Sequence, residues 1–461
     1  MFDTKSHIYF IGIGGIGMSA LARYFKSQGK NVGGYDKTST PLTNELEAEG
    51  IEIHFNDDLK SAQKFSGDLS MKENVLVVYT PAIPTDHSEL IYFKENNYDL
   101  KKRSEVLGMI TRSSYTIGVA GTHGKTTTSS MVAHILKFAG LNCTAFLGGI
   151  TKNYHTNLLL GNNEGKKFTV VEADEYDRSF LALHPDLAII TSMDADHLDI
   201  YGDHSYMIES YRLYAGQVKP GGLLIYKAGL PLADLTVEKK TYSLSEQADF
   251  SGKNIRIENH NYHFDWQSFS DIITDLQSQM PGSHNVENAI AAIAVAKHLG
   301  LENKMIKEAL SSYSGVKRRF DYQIRNNDCI YIDDYAHHPE ELRACLSSVK
   351  ELYPGKKVTG LFQPHLYSRT RDFVDGFAES LSMLDCLILL DIYPAREKPI
   401  PGVTSKIIFD KVTCEKYQCT KDEALKMLNN HTSPVNLTLG AGDIDQLVQP
   451  IKEQLLKRVL S

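Results

Sequence analysis

No run of apolar residues in this 461-residue chain reaches the roughly 18 that a membrane-spanning helix needs. The opening M-F-D-T-K-S-H is polar and lacks a basic stretch followed by a separate apolar one, so it does not read as a secretory signal. Blocks of lysine and arginine are absent too. With 49 basic and 57 acidic residues the formal charge is -8, which argues against nucleic-acid binding and against stable association with an anionic membrane. Cysteine is scarce: none of the six (Cys143, Cys329, Cys345, Cys386, Cys414, Cys419) stands in a C-x-x-C pair. A chain of this length needs no disulfide staples, so they read as reduced thiols of a cytoplasmic protein. Low-complexity segments and short repeats are also missing. What remains is ordinary globular material, 42% hydrophobic and 23% charged, and the length suggests roughly two to four domains.

Three stretches begin as a buried strand and turn through glycine or a charged loop into a helix: residues 7–25, 115–128 and 329–339. Further short apolar strands are expected at Asn74–Tyr79, Phe168–Glu172, Leu187–Thr191, Val358–Phe362 and Cys386–Leu390. Strands alternating with helical patterns imply an α/β fold with parallel sheets. One boundary is placed near Gly108, before the second glycine loop, and another near Phe320, after the basic K-R-R-F. Residues 231–280 are mixed in character and fit either an antiparallel excursion or a long surface insertion.

The richest chemistry lies in G-V-A-G-T-H-G-K-T-T-T, residues 118–128. It resembles a phosphate loop shortened by two residues. Gly121 and Gly124 let backbone N–H groups approach phosphates, and a helix N-terminus follows to favour their charge. Thr122 and His123 complete the loop. Lys125 would reach the outer phosphates, and Thr126, or alternatively Thr127, would offer a hydroxyl to Mg²⁺. A Gly-x-x-Gly alone would be an ordinary turn; the Lys-Thr-Thr-Thr directly after a buried strand tips the reading to nucleotide. Next, V-V-E-A-D-E-Y-D ends a strand in Glu172, Asp174, Glu175 and Asp177, too many carboxylates to bury unpaired. At the carboxyl end of a parallel strand they suit a metal beside triphosphate. In D-A-D-H-L-D, His197 follows Asp194 and Asp196 just past another strand. Nitrogen is unusual for Mg²⁺, so physics alone makes it a weak ligand.

Residues 12–17, G-I-G-G-I-G, follow the strand I-Y-F-I, and Asp36 lies 19 residues after Gly17. The pattern demands a diphosphate at a helix N-terminus, which a nicotinamide dinucleotide and a nucleoside-diphosphate sugar both provide.

In combination, G-T-H-G-K-T-T-T, E-A-D-E, D-A-D-H-L-D, H-N-V-E-N (284–288), G-V-K-R-R-F (315–320) and D-D-Y-A-H-H-P (333–339) resemble the Mur ligase family, in the family's order and across essentially the whole chain. The resemblance implies three domains: a Rossmann-like nucleotide-sugar domain (1–107), a central phosphate-loop ATPase-like domain (108–320) and a Rossmann-like C-terminal domain (321–461). It implies ATP and Mg²⁺, with Thr126, Glu172 and His197 on the metal, His284 and Asn288 on the adenine side, Arg319 near the phosphates and Asp334 near the ribose. It assigns Gly15, Ile16 and Gly17 to a UDP diphosphate, Asp36 to the uridine and Arg103 to the diphosphate, with His54 a weaker candidate.

In Q-P-H-L-Y-S-R-T-R-D-F (363–373), His365 and Arg369 would meet substrate carboxylates, and Leu366 stands where members often have Arg. His337 or His338 would deprotonate the incoming amine; Arg396 and Asp443 are substrate-side residues or loop ties. Several members that add later residues carry a lysine shortly after D-H-x-D, whereas none occurs here between His197 and Lys219. That absence, and the spelling of the first glycine loop, resemble the branch that joins L-alanine to UDP-N-acetylmuramate. Catalysis would then rest on Lys125, Glu172, His197, His338 and Arg369. The alternatives are the branch that attaches a preformed tripeptide and, from another class, an NAD-dependent oxidoreductase. The expected assembly is a monomer or weak homodimer.

Overall fold

The computed structural model describes residues 2, 4–67, 69–196, 198–395 and 397–460. Its first sheet joins β1 (His7–Ile11), β2 (Asn31–Tyr35), β3 (Glu52–His54), β4 (Val75–Tyr79) and β5 (Asp99–Lys102) in the order β3-β2-β1-β4-β5, every pair parallel. Side chains alternate across a strand, and β1 shows why a continuous apolar run is needed at the centre. Ile8 and Phe10 pack on one face against Met18, Leu21 and Phe25 of the helix Ile16–Ser27. Tyr9 and Ile11 pack on the other with Phe93 and Tyr98. Gly34 allows β2 to lie this close: a Cβ there would sit 2.1 Å from the Phe10 carbonyl oxygen.

A second sheet runs β12-β11-β10-β6-β9-β7-β8, with β6 (Tyr115–Ala120), β7 (Cys143–Phe146), β8 (Leu158–Leu159), β9 (Phe168–Glu172), β10 (Leu187–Ile190), β11 (Leu223–Lys227) and β12 (Lys239–Ser243). All of its neighbours are parallel except β7 and β8.

The undecided segment 231–280 is built into the structure. It supplies β12 and then β13 (Phe250–Glu258), β14 (Asn261–Ser268) and β15 (Ile272–Ser278). The start of β13 continues the parallel pairing through Tyr242↔Phe250 and Ser243↔Ser251, so the segment belongs to the sheet and is not a loose insertion. β13, β14 and β15 then neighbour one another in chain order through connections too short for a parallel crossover, which makes them the antiparallel excursion. The overlooked signal was Y-H-F-D-W, whose alternate residues Tyr262, Phe264 and Trp266 are all buried. Trp266 stacks on Phe250 and donates from Nε1 to the Ile290 carbonyl at 3.3 Å.

The third sheet has the order β16-β17-β21-β18-β19-β20, comprising β16 (Asp321–Arg325), β17 (Ile330–Asp334), β18 (Val358–Phe362), β19 (Cys386–Leu389), β20 (Glu415–Gln418) and β21 (Val435–Leu439). Only β16 runs antiparallel to its neighbour. The chain packs as two compact units, one of residues 1–253, 265–274 and 287–313, the other of 254–264, 275–286 and 314–461. Among the described residues no helix is long and apolar enough to cross a membrane.

The first sheet buries a carboxyl group. Glu89 is fully buried, and its Oε2 accepts the Tyr9 hydroxyl at 2.8 Å while His54 Nε2 lies 3.3 Å from Oε1. Burial pushes this carboxyl up from 4.5 to about 7. A folded-state value above the unfolded one gives stability that is complete below about pH 4.5 and is lost as pH rises through about 7. Glu89→Gln keeps an acceptor for Tyr9 and removes the titration. The stability of the parent minus that of Glu89→Gln should therefore fall by about 3 kcal/mol between those limits. Urea unfolding at pH 5 and pH 8 checks it. An unchanged difference would mean that Glu89 ionises in the ordinary range.

Candidate active site

The phosphate loop leaves β6, the strand between β9 and β10, and enters the buried helix Lys125–Phe138. Gly121 (φ +138°) and Gly124 (φ +83°) occupy backbone conformations that L side chains rarely adopt. Asn288 packs on this loop: a Cβ on Gly124 would meet its Oδ1 at 2.7 Å. Thr122 Oγ1 donates to the Asp194 carbonyl at 2.8 Å, and the His123 amide donates to Ser192 Oγ at 2.8 Å. His123 Nε2 stands 3.8 Å from Asp194. Thr127 is buried in the first helical turn.

Lys125 folds back over the loop. Its Nζ donates to the carbonyls of Gly121 (2.6 Å) and Thr122 (3.1 Å) and pairs with Glu175 at 2.8 Å. Burial pushes Glu175 up to about 7, against the opposing pull of Lys125. Lys125, which burial alone would lower, is held above its ordinary value by Glu175 and Glu172. The acidic segment after β9 is therefore divided by partner. Asp174 pairs with Arg103 at 2.9 Å and Asp177 with Lys102 at 3.0 Å. Glu172 instead accepts from Thr126 Oγ1 and from the Gly148 amide, both at 3.0 Å. His197 and Arg396 lie outside the described residues.

The first glycine loop reaches the same place. Asp36 accepts the Gly14 amide at 2.7 Å, holding the loop at the head of the helix Ile16–Ser27. Gly17 lies against Arg103, whose Nη1 would be 2.4 Å from a Cβ there. Ile16 and Gly17 line a cavity of about 130 Å³ together with Arg103, Gly148, Glu172 and Asp174; Gly15 caps the helix beside it. Asn157 anchors this helix to the chain beyond β7: it is fully buried and donates to the Ile16 carbonyl (2.6 Å) and Ser19 Oγ (2.9 Å), while accepting from Arg23 at 2.7 Å. Sequence reading missed Gly148, Asn157 and Arg23. Only Gly148 left a signal, as part of a Gly-Gly pair just past a strand.

In the second unit Asp334 ends β17, and its carboxylate accepts the Phe320 amide (2.6 Å) and the Ala336 amide (2.7 Å). Burial pushes it up to about 6. Arg319 lies over the Tyr335 ring and 3.4 Å from Glu341. His284 packs beside Gly282. His338 caps the helix Pro339–Leu352 by accepting the Glu340 amide at Nδ1, 3.4 Å away. His337 Nδ1 donates to the Tyr335 carbonyl at 2.9 Å. His365 Nδ1 and the buried Arg369 Nη1 are 3.4 Å apart, and the imidazole stacks on Tyr393. Leu366 is buried at φ +71°. Asp443 accepts from Gln363 at 2.7 Å and pairs with Lys421, which makes it a tie between loops. His54 bonds to Tyr9 at 2.7 Å in the first sheet.

A glycine loop after a parallel strand, with lysine, hydroxyl and carboxylate gathered upon it, is the architecture of phosphate-loop nucleotide enzymes. The chain belongs to the Mur ligase family. Residues 7–115 match the model described as Mur ligase family, catalytic domain; 119–296 match the Mur ligase middle domain, and 318–443 the Mur ligase, glutamate ligase domain. A UDP-N-acetylmuramate–L-alanine ligase of Parabacteroides distasonis is 51% identical over 456 residues, 98% of each chain. One of Flavobacterium johnsoniae is 50% identical, again over 98% of each. The crystal structure of a UDP-N-acetylmuramate-alanine ligase from Thermotoga maritima superposes with a TM-score of 0.82 at 29% identity, covering 98% of this chain and 99% of that one. A murein peptide ligase from Psychrobacter arcticus shares the fold, with a TM-score of 0.71 at 22% identity over 97% of this chain and 98% of that one.

Proposed function

We infer that this chain joins L-alanine to the carboxylate of UDP-N-acetylmuramate, converting ATP to ADP and phosphate, in the synthesis of peptidoglycan precursors. The observation that carries the reading is one cavity where Gly17 of the first glycine loop and Arg103 meet Glu172 and Gly148 beside the phosphate loop. A nucleotide-sugar and a triphosphate bound at those two loops would bring carboxylate and γ-phosphoryl group together. A nicotinamide reading of the first loop leaves Lys125, Thr126 and Glu172 unexplained. The relatives at about half identity carry the same activity in their names.

The phosphoryl group passes to the muramoyl carboxylate, giving an acyl phosphate. The amine of L-alanine then attacks the carbonyl, phosphate leaves and an amide forms. Gly121 to Thr127 cradle the phosphates, and Lys125 leaves Glu175 to neutralise the transferring group. Thr126 and Glu172 present oxygen atoms 3.0 Å apart, which suits Mg²⁺, and His197 completes the set; bound there the ion would neutralise phosphate charge. Asn288 and His284 serve the adenine side, Arg319 and Asp334 the rest of the nucleotide. Gly15, Ile16, Gly17 and Arg103 hold the UDP diphosphate, and Asp36 orders that loop beside the uridine. His365 and Arg369 receive carboxylates.

Between the two candidate bases the hydrogen bonds favour His337. Donation from Nδ1 to a carbonyl leaves its Nε2 lone pair for a proton, whereas Nδ1 of His338 is occupied as a cap. The three-domain division at 107 and 320 is part of the same proposal.

Phosphate release from ATP with Mg²⁺ and UDP-N-acetylmuramate should depend on L-alanine and give a product heavier by one alanyl residue. Release driven instead by the muramoyl-side tripeptide would move the chain to the peptide-attaching branch. No acceptor dependence in folded protein would remove both ligase readings.

A further inference from the structure

Cys386, Glu415 and His431 are far apart in sequence and belong to no motif. The third sheet brings them together. Cys386 opens β19 and Glu415 opens β20, and the two are register partners; Cys386 is also in register with Thr359 of β18. Side chains of register partners leave the same face of a sheet. His431 follows the helix Ala424–Asn430, and its carbonyl accepts Thr359 Oγ1 at 2.8 Å, so the same row of the sheet fixes all three. One ligand atom from each residue lies within 4.8 Å of the others, and His431 Nδ1 is 3.8 Å from Glu415 Oε1.

We propose that Cys386, Glu415 and His431 form a site for a zinc-class divalent cation at the N-terminal ends of the strands of the third sheet. Bond lengths of about 2.0–2.3 Å to sulfur, nitrogen and oxygen in a tetrahedron imply ligands roughly 3.3–3.8 Å apart. A small inward movement of the half-exposed Glu415 side chain closes the set, leaving water the fourth position. Thiolate, imidazole and carboxylate together select zinc-like ions over Mg²⁺, which prefers oxygen alone. Tyr417 supports the geometry: its ring packs on His431 with centroids 3.8 Å apart, and its hydroxyl donates to Glu415 Oε1 at 2.8 Å. Partners that orient ligands in this way tune metal affinity.

The site stands at the opposite strand ends from Asp334, the last residue of β17. Its effect is therefore mechanical: the ion fastens β20, the edge strand of this sheet, to β19 and to the end of a helix.

The test uses the full chain, stripped of metal and kept in excess Mg²⁺ so that oxygen-rich sites are filled. Titration with Co²⁺ should produce near-ultraviolet thiolate-to-cobalt absorption that saturates at a single equivalent and is displaced by Zn²⁺. Cys386→Ser should abolish it, His431→Gln should weaken binding more than about tenfold, and Cys414→Ser should leave it intact. Zn²⁺ should raise the Tm of the parent and not that of Cys386→Ser. Absence of the absorption, its persistence in Cys386→Ser, or its loss in Cys414→Ser would overturn the site. If Cys386→Ser does not fold, His431→Gln decides, and unchanged Co²⁺ affinity in that variant overturns it.

Discussion

Lys125→Met should lower alanine-dependent phosphate release by about 10³-fold or more while the protein stays folded. The first half follows from charge. A phosphoryl group moving to a carboxylate concentrates negative charge, and single preorganised donors to such charge carry about 10²–10³ in rate, cationic ones up to 10⁵. The second half follows from Glu175. Its side chain is 2% exposed, and removing the partner of a buried ion pair usually costs about 3–5 kcal/mol. Here the carboxyl is already pushed up to about 7 by burial, so it can take a proton in place of its partner. The loss of stability in Lys125→Met should therefore be smaller at pH 6 than at pH 8, as urea unfolding would show. Glu175→Gln is the companion. Lys125 keeps its bonds to Gly121 and Thr122, so activity should fall much less. Activity of Lys125→Met within tenfold of the parent would remove Lys125 from the phosphate site.

Gly121→Ala should abolish the loop itself. The new methyl would lie 2.0 Å from Thr191 Oγ1 and 2.8 Å from the Ser192 amide nitrogen, at a φ of +138°. Neither neighbour can move cheaply. Ser192 is held by the Thr122 amide, which donates to its carbonyl at 3.3 Å, and by the His123 amide, which donates to its Oγ at 2.8 Å, while Thr191 Oγ1 donates to the Ala120 carbonyl at 3.1 Å. Strain at the backbone and the clash each cost about 1–3 kcal/mol. The expected result is a destabilised protein whose remaining folded fraction releases phosphate at least about 10²-fold more slowly, because a misplaced loop loses its aim at the phosphates. Thermal unfolding and phosphate release on one preparation separate the two effects. An unchanged Tm would show that the loop relaxes around the methyl. Gly29→Ala makes a good control, since a Cβ there meets nothing within 4 Å although φ is also positive.

Much of this was legible in the sequence because it depends on local rules. Strand, glycine and helix follow one another within a dozen residues, and Lys125, Thr126 and Glu172 stand at strand ends where parallel sheets gather ligands. What was not legible depends on pairing between distant segments. Nothing in E-A-D-E-Y-D tells which carboxylate is taken by Arg103, Lys125 or Lys102, because each partner arrives from another strand or helix. The segment 231–280 was opaque for a related reason. Its strands alternate buried aromatic residues with polar ones, and sheet membership is decided by neighbours that the local pattern does not name. Asn157 carried no signal at all; its importance comes from complete burial against the first glycine helix.

The distribution of thiols gives the protein a set of internal clocks. Cys143 lies buried in β7 of the first unit, and burial pushes it up to about 12; the other five cysteines all belong to the second unit, four of them buried. A buried thiol reacts with an alkylating reagent only when its surroundings open. The modification rate of Cys143 therefore reports fluctuations of the unit that carries both glycine loops, and the four buried cysteines of its companion report those of that unit. Mass spectrometry of the native enzyme could follow both at once, with and without each substrate, and no engineered label would be required.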